Sequence, residues 1–188
     1  MTRSFTGEPV ATSTVEACID LATRAPSAGR TQGWHLLMWR GADTSQYWDV
    51  ALPEPQRQGF AFPGLLKADV VLLSMVDKEA YLERYREPDK RHTDLGESLS
   101  KWPAPYWTID ASFATMTLLM AVHDAGLGAL FFAHAREREL RERFGIPAHV
   151  DILGVMAIGH RDRTATRRGR SADRSRRSSS EVIHHSRW

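Results

Sequence analysis

The residues best suited to chemistry lie at positions 25–34, where a predicted helix stops and an apolar, strand-like segment follows. The stretch reads Ala-Pro-Ser-Ala-Gly-Arg-Thr-Gln-Gly-Trp. Ser27 and Ala28 are small and Gly29 has no side chain, so the backbone here can approach a ligand closely. The N–H and hydroxyl groups of such a loop could bind a planar, polar ligand. The same residues are also compatible with an ordinary turn that ends a helix.

No other segment has a recognisable catalytic motif. The sequence contains no His-Glu-x-x-His zinc motif, no Gly-x-Ser-x-Gly nucleophile motif and no phosphate-binding P-loop. The Gly-Leu-Gly at 126–128 does not fit the dinucleotide-binding fingerprint, because that motif needs a strand before the glycines and a helix after them. Here the predicted order is the reverse. We therefore predict no catalytic side chain and no metal site, and expect a bound cofactor to perform the chemistry.

Composition limits the class of protein. With 188 residues, 42% of them hydrophobic and 26% charged, the chain is typical of one soluble globular domain. It has no apolar run of the roughly 18 residues that a membrane-spanning helix needs, and no apolar core of a signal peptide. The single cysteine, Cys18, excludes an internal disulfide and is expected to be a core thiol. We expect a cytoplasmic protein.

Charge is unevenly distributed along the chain. The formal net charge is +2, yet residues 161–188 contain nine arginines and only three acidic residues, so the rest of the chain is mildly acidic. This basic tail has three interpretations: a mobile, solvated end, a non-specific contact with nucleic acid, or a site for the phosphate of a cofactor. Of these, a nucleic-acid partner is the one we do not expect.

Hydrophobic periodicity predicts the elements that would position the loop. We predict helices over 13–24, 43–52, 77–86, 110–125 and 135–144, and strands over 34–40, 69–76, 129–133 and 150–158. A capping box of Ser13 and Glu16 should begin the first helix, and Asp43 should cap the second. Because the elements interleave without a regular βαβ period, we predict an α+β fold.

Three further patterns concern burial. The nearly continuous apolar run at 69–76 predicts a strand covered on both faces. The helix at 110–125 is apolar on nearly all sides, which places it in the core or at a subunit interface and favours dimerisation. The aromatic segment at 102–107 is compatible either with a lid over a ligand or with a packed loop.

Three segments, taken in order, resemble the nitroreductase family of FMN-dependent flavoenzymes. Residues 25–34 are similar to the family signature Ala-Pro-Ser-Ala-Gly-x-x-Gln-x-Trp. Residues 3–10, Arg-Ser-Phe-Thr-Gly-Glu-Pro-Val, are similar to its opening segment. The third group of matches lies in the C-terminal half, at 121–132, 144–147 and 158–160. The resemblance covers residues 3–40 and 110–160, whereas 41–109 match poorly.

The resemblance implies a fold and a reaction. The fold would be α+β, with a mixed sheet flanked by helices, and two chains would form an intertwined homodimer. Residues 1–160 would form the domain and 161–188 a basic C-terminal arm that wraps across the partner. FMN would bind between the subunits, take hydride at N5 from NADPH or NADH, and reduce a small acceptor such as a nitroaromatic or a quinone. Two alternatives keep this fold: a flavin-binding protein without reductase activity, and a member that consumes reduced flavin with oxygen.

The resemblance also assigns residues of the signature loop to the cofactor. Pro26, Ser27, Ala28 and Arg30 match the loop that reaches the flavin from the partner subunit. Arg30 stands where the family usually has Asn, and Gly33 stands where it usually has Pro.

Five more residues match flavin-binding positions elsewhere in the family. Arg3 would lie near the flavin ring or phosphate, where a cation would stabilise the negative charge of the reduced ring. Ala133 and His134 match a position where a backbone N–H contacts flavin N5. Arg174 and Arg176 match a late basic pair that binds the FMN phosphate, for which the guanidinium fork is well suited.

Overall fold

The structure is a computed structural model that describes residues 1–165, 169 and 171–188. Its sheet has four strands: β1 (Trp34–Arg40), β2 (Val70–Asp77), β3 (Gly128–Phe132) and β4 (Val150–Gly159). Their spatial order is β1-β2-β4-β3, so that β1 and β3 form the two edges. The described residues form five α-helices beside the sheet: α1 (Thr12–Ala22), α2 (Thr44–Ala51), α3 (Glu79–Arg86), α4 (Tyr106–Asp124) and α5 (Glu137–Phe144).

The predicted α+β class is confirmed, but the sheet differs from the expected one. All three pairings, β1 with β2, β2 with β4 and β3 with β4, are antiparallel. The sheet of the described residues is therefore not mixed. The chain does return through α3 and α4 so that β2 and β3 run in the same direction. However, β4 lies between these two strands and pairs with both in the antiparallel sense.

Helices cover both faces of the sheet. On one face, Val70 and Leu72 of β2 pack in an apolar cluster with residues of α1 and α4. On the other face, Val71 and Leu73 pack with aromatic residues of α2 and with Leu140 of α5. Residues 70–76 are buried as a result, which confirms the prediction of a strand covered on both faces.

Two predicted helix caps are wrong. Helix α1 begins at Thr12, one residue earlier than expected, so Ser13 lies inside the first turn and cannot cap it. The Thr12 hydroxyl instead accepts a hydrogen bond from Arg40. Asp43 does precede α2, but its backbone is already helical because a 3-10 turn ends there. Its carboxylate therefore accepts a hydrogen bond from the side chain of Gln46 rather than from the helix backbone.

The packing answers the expectations about the burial of Cys18 and of the aromatic segment. Cys18 is a buried core thiol, and burial followed by the negative charge of Asp124 raises its pKa. Trp102 packs edge-on against Tyr85, with 4.5 Å between the ring centroids, and donates a hydrogen bond to the carbonyl of Leu95. Trp102 thus belongs to a packed loop, whereas Tyr106 and Trp107 form the beginning of α4. No helix in the described part of the chain is both long enough and apolar enough to cross a membrane.

Candidate functional site

The signature loop adopts a compact conformation with several left-handed residues. Gly29, Arg30 and Gln32 have φ angles of 59°, 56° and 56°. Arg30 donates its N–H to the carbonyl of Ser27, and Gln32 donates its N–H to the Ser27 hydroxyl at 3.1 Å. Left-handed backbone is unfavourable for side chains such as Arg and Gln, and less so for Gly and Asn. Contacts outside the loop must therefore hold this shape.

Side chains of α3 and α4 hold the loop through hydrogen bonds. The Ala28 N–H donates to Oδ2 of Asp110 on α4 at 2.7 Å, and the Tyr81 hydroxyl of α3 donates to the same oxygen at 2.9 Å. Arg84 of α3 donates from Nε to the carbonyl of Gly29 at 2.8 Å. Beneath the loop lies a cavity of about 270 Å³, whose lining includes Pro26, Ser27, Tyr81 and Asp110.

A second predicted region follows the end of β3. Ala133 is exposed, and His134 lies close to Glu137 at the start of α5, with 3.0 Å between Nε2 and Oε2. Hydrogen bonds from His134 and Arg141 lower the pKa of the Glu137 carboxyl. A cavity of about 590 Å³ opens beside these residues. Its walls come from α4, Phe131, Glu137 and the start of β4.

A third region surrounds Arg3. The N-terminal segment runs beside the sheet, where Thr2 donates to the carbonyl of Ala129 and Asp162 donates to that of Ser4. The Arg3 guanidinium lies 5.7 Å from the centre of the Phe62 ring. It also packs so closely on Gly169 that a Cβ there would be 2.8 Å from it. These contacts hold Arg3 in the wall of a cavity of about 630 Å³.

Two more arginines, Arg161 and Arg163, line this Arg3 cavity. Asp162 lies between them in sequence, but its carboxylate accepts hydrogen bonds from Ser4 and Thr164, which lower its pKa. Within the described residues, none of the three arginines forms an ion pair with a carboxylate. Nη2 of Arg161 is hydrogen-bonded to Nδ1 of His123 at 3.0 Å and to the carbonyl of Leu127 at 3.4 Å. The cavity is nevertheless basic, and the guanidinium groups of Arg3 and Arg163, with the other N–H groups of Arg161, can bind an anion.

The late arginines lie outside the Arg3 cavity. Arg174 and Arg176 are exposed residues of the arm, and the lining of the cavity ends at Ala172 among the described residues of that segment. The arm also exposes large apolar side chains, including those of Val182, Ile183 and Trp188.

Comparison with known proteins identifies the family. The model of the "Nitroreductase family" matches residues 1–160. The chain belongs to the nitroreductase family. A protein of Archaeoglobus fulgidus, named as a candidate NADH dehydrogenase/NAD(P)H nitroreductase, is 24% identical over 163 residues, which are 84% of this chain and 78% of that protein.

Solved structures with the nitroreductase fold agree. A nitroreductase family protein from Streptococcus pneumoniae superimposes with a TM-score of 0.73 at 19% identity, covering 98% of this chain and 94% of the other. A structure described as an oxidoreductase containing FMN has a TM-score of 0.66 at 21% identity, covering 86% of this chain and 72% of the other.

Within this nitroreductase fold, the predicted site residues separate into two groups. The Arg3 cavity adjoins the start of β3, because Thr2 and the Arg161 side chain pack on Gly128. Ala133 and His134 follow the end of β3, a strand of five residues and therefore about 16 Å long. The signature loop instead leads into β1, at the opposite edge of the sheet. Within one chain, the signature loop and the β3 edge therefore lie apart.

Arg161, Arg163 and Asp110 were not predicted from the sequence as site residues. The two arginines follow the last strand directly, and their only signal was that they belong to the basic tail. Asp110 had no signal beyond being an acidic residue at the beginning of a mostly apolar helix.

Proposed function

We propose that this member of the nitroreductase family is an FMN-dependent oxidoreductase that transfers electrons from NADPH or NADH to a small acceptor, such as a nitroaromatic or a quinone. Bound FMN would accept hydride from the nicotinamide and pass two electrons on to the acceptor. The observation that carries the proposal is the β3 edge, which has a basic cavity at one end and, at the other, backbone N–H groups that make no turn or loop hydrogen bond among the described residues.

The basic end fits a phosphate. Arg3, Arg161 and Arg163 line one cavity, and Asp162 between the last two is hydrogen-bonded to neutral partners. Charge-assisted hydrogen bonds from guanidinium to phosphate are among the strong ones in proteins. Arg174 and Arg176 lie farther along the arm and outside this cavity, and we propose them as a second pair of phosphate ligands.

The other end of β3 fits the flavin ring. The N–H groups of Ala133 and His134 take part in no turn or loop hydrogen bond of the described residues. A backbone N–H at this position could donate to flavin N5. No side chain here is required for proton transfer, because the reaction needs an open face over the ring more than it needs a catalytic residue.

The separation of loop and β3 edge supports a homodimer. Helix α4 exposes Phe113, Met116 and Met120, which remain 47%, 54% and 55% accessible in one chain. Met116 also lines the cavity beside Phe131, so this apolar face of α4 continues into the ring end of the β3 edge. A second copy packed here would cover the face and supply Pro26, Ser27 and Ala28 to the flavin. The apolar residues of the arm, 161–188, would pack on the partner's 1–160 domain.

The absorption spectrum of the purified protein tests the activity. We expect a flavin spectrum, either as purified or after addition of FMN, that bleaches when NADPH or NADH is added without oxygen and returns with a quinone. A flavin spectrum that neither nucleotide bleaches would instead support a flavin-binding protein without reductase activity. Failure to take up FMN at all would overturn the proposal.

The same binding titration locates the phosphate. Two double variants, Arg161→Ala with Arg163→Ala and Arg174→Ala with Arg176→Ala, are compared for FMN and for riboflavin, which lacks the phosphate. A hydrogen bond to a charged group contributes about 1.5–3 kcal/mol, so losing it should weaken FMN roughly tenfold or more. Riboflavin should be nearly unaffected. Equal losses for both ligands would exclude that pair from the phosphate site, and Arg138→Ala on α5 serves as the exposed control.

A further inference from the structure

Asp110 is a buried carboxylate that two separate elements bind through one oxygen. It is 6% exposed and lies near the beginning of α4. Oδ2 accepts the Ala28 N–H at 2.7 Å and the Tyr81 hydroxyl at 2.9 Å. The bond to Ala28 joins residues 82 positions apart. Both bonds are charge-assisted and short, and therefore strong.

Asp110 is not paired with a cation in the part of the chain that the structure describes. Among the described residues, no Lys, Arg or His forms an ion pair with it, so its two neutral donors must compensate for its burial. Burial, together with the charge of Asp110, raises the pKa of the Tyr81 hydroxyl, which keeps that group protonated and able to donate. Loss of the carboxylate would leave the Ala28 N–H without this acceptor.

The bond to Ala28 is made at the point where the left-handed stretch begins. Gly29, Arg30 and Gln32 follow with positive φ, and such backbone persists only where its surroundings determine it. Because the Ala28 N–H is used by Asp110, it is not free to bind a ligand. The Gly29 N–H makes no turn or loop hydrogen bond among the described residues, and the Ser27 hydroxyl already accepts from Gln32 but can still donate.

We propose that Asp110 is a positioning residue for loop 26–33. By holding the Ala28 N–H, it sets the conformation in which the loop presents Gly29 and Ser27 to the flavin. This inference rests on the proposed function for the identity of the ligand, but the loop conformation itself can be measured without any ligand.

Asp69 provides a matched control. Its Oδ2 accepts the N–H of Val10 at 2.9 Å, it is 9% exposed, and the bond joins residues 59 positions apart. It therefore makes the same kind of buried carboxylate-to-backbone contact as Asp110. It differs in two respects. Asp69 also forms an ion pair with Arg40, at 3.8 Å, and it lies beside the end of β1, whereas loop 26–33 precedes the start of β1.

The experiment compares Asp110→Ala, Asp110→Asn and Asp69→Ala in the full chain. Hydrogen exchange of the segment 26–33, thermal unfolding and FMN affinity are measured for each. We expect Asp110→Ala to speed exchange of the Ala28 amide at least tenfold and to weaken FMN about tenfold. Asp110→Asn keeps an acceptor oxygen and should restore most of both. Asp69→Ala should lower the unfolding temperature while leaving loop exchange and FMN affinity near those of the unsubstituted protein.

Unchanged loop exchange in Asp110→Ala would overturn the inference, as would equal effects of Asp69→Ala on loop exchange and FMN affinity. If Asp110→Ala does not fold, Asp110→Leu removes the acceptor without leaving a cavity and is held to the same criteria. If the unsubstituted protein does not bind FMN and Asp110→Ala still speeds loop exchange, the proposed function is refuted. The positioning role of Asp110 is then still supported.

Discussion

At the residue scale, close packing explains why the signature loop ends in glycine. A Cβ added to Gly33 would lie 2.8 Å from Cε2 of Tyr81 and 2.9 Å from the carbonyl oxygen of Asp77. The Asp77 oxygen belongs to the backbone of β2. The N–H of Asp77 donates to the Gly33 carbonyl at 2.8 Å, so the two backbones are already held together. Neither neighbour can therefore shift cheaply.

We predict that Gly33→Ala lowers the free energy of unfolding by about 1–3 kcal/mol, the usual cost of forcing extra atoms into a packed site. Urea unfolding measures the change. Gly59→Ala is the control, because no atom lies within 4 Å of a Cβ at Gly59. A Gly33→Ala protein as stable as Gly59→Ala would contradict the packing described here.

At the element scale, α3 contacts the loop through the Arg84 guanidinium, which Asp89 in turn holds in place. Arg84 makes two hydrogen bonds of 2.8 Å to the carboxylate of Asp89, one from each terminal nitrogen, and uses Nε for the Gly29 carbonyl. The hydrogen bonds from Arg84 lower the pKa of Asp89 from an ordinary 3.8 to about 2. The chain that follows α3 thus orients the side chain that supports the loop.

This pairing predicts how stability depends on pH. The folded-state pKa of Asp89 is depressed, so its contribution is fully present above the unfolded value and is lost as pH falls toward about 2. We expect Asp89→Asn to be less stable than the unsubstituted protein at pH 6, with the difference shrinking from about pH 4 downward. Urea midpoints at several pH values check this. A difference that stays constant down to pH 2 would argue against the pairing.

At the scale of the whole molecule, α4 connects the loop to the surface proposed for dimerisation. One side of α4 carries Asp110 and packs on the sheet, while Phe113, Met116 and Met120 face outward. An exposed helix face with three large apolar residues is unfavourable in water unless something covers it. A second copy is the occupant we propose, because the loop and β3 of one chain lie at opposite edges of the sheet.

We predict that Met116→Glu combined with Met120→Glu prevents the proposed dimer from forming, because burial of the exposed α4 face would then bury unpaired carboxylates. Sedimentation velocity measures the state, and FMN affinity should fall with it. Arg138→Glu on α5 is the control for a change of charge on an exposed helix. A monomeric unsubstituted protein, or a double variant that remains dimeric, would contradict this use of α4.

The parts of the fold that could be predicted are those whose pattern lies in consecutive residues of the sequence. The apolar run of β2 and the periodic pattern of α1 identified these elements, because burial imposes a pattern on neighbouring residues. The capping box at Ser13 was wrong because Thr12 and Arg40, which are distant in sequence, meet at the beginning of α1. Asp43 failed as a cap because the preceding residues form a 3-10 turn.

The candidate site likewise divides into features encoded in consecutive residues and features that depend on contacts between distant ones. The sequence by itself identified the family, the signature loop and the burial of β2 on both faces, since each is encoded in consecutive residues. Only the tertiary structure decided that Arg161 and Arg163 join Arg3, that Asp110 holds Ala28, and that the loop and the β3 edge lie apart. These relations depend on strand order and on contacts between residues far apart in the chain, and hydrophobic periodicity records only whether a residue is buried, not which distant residue it meets.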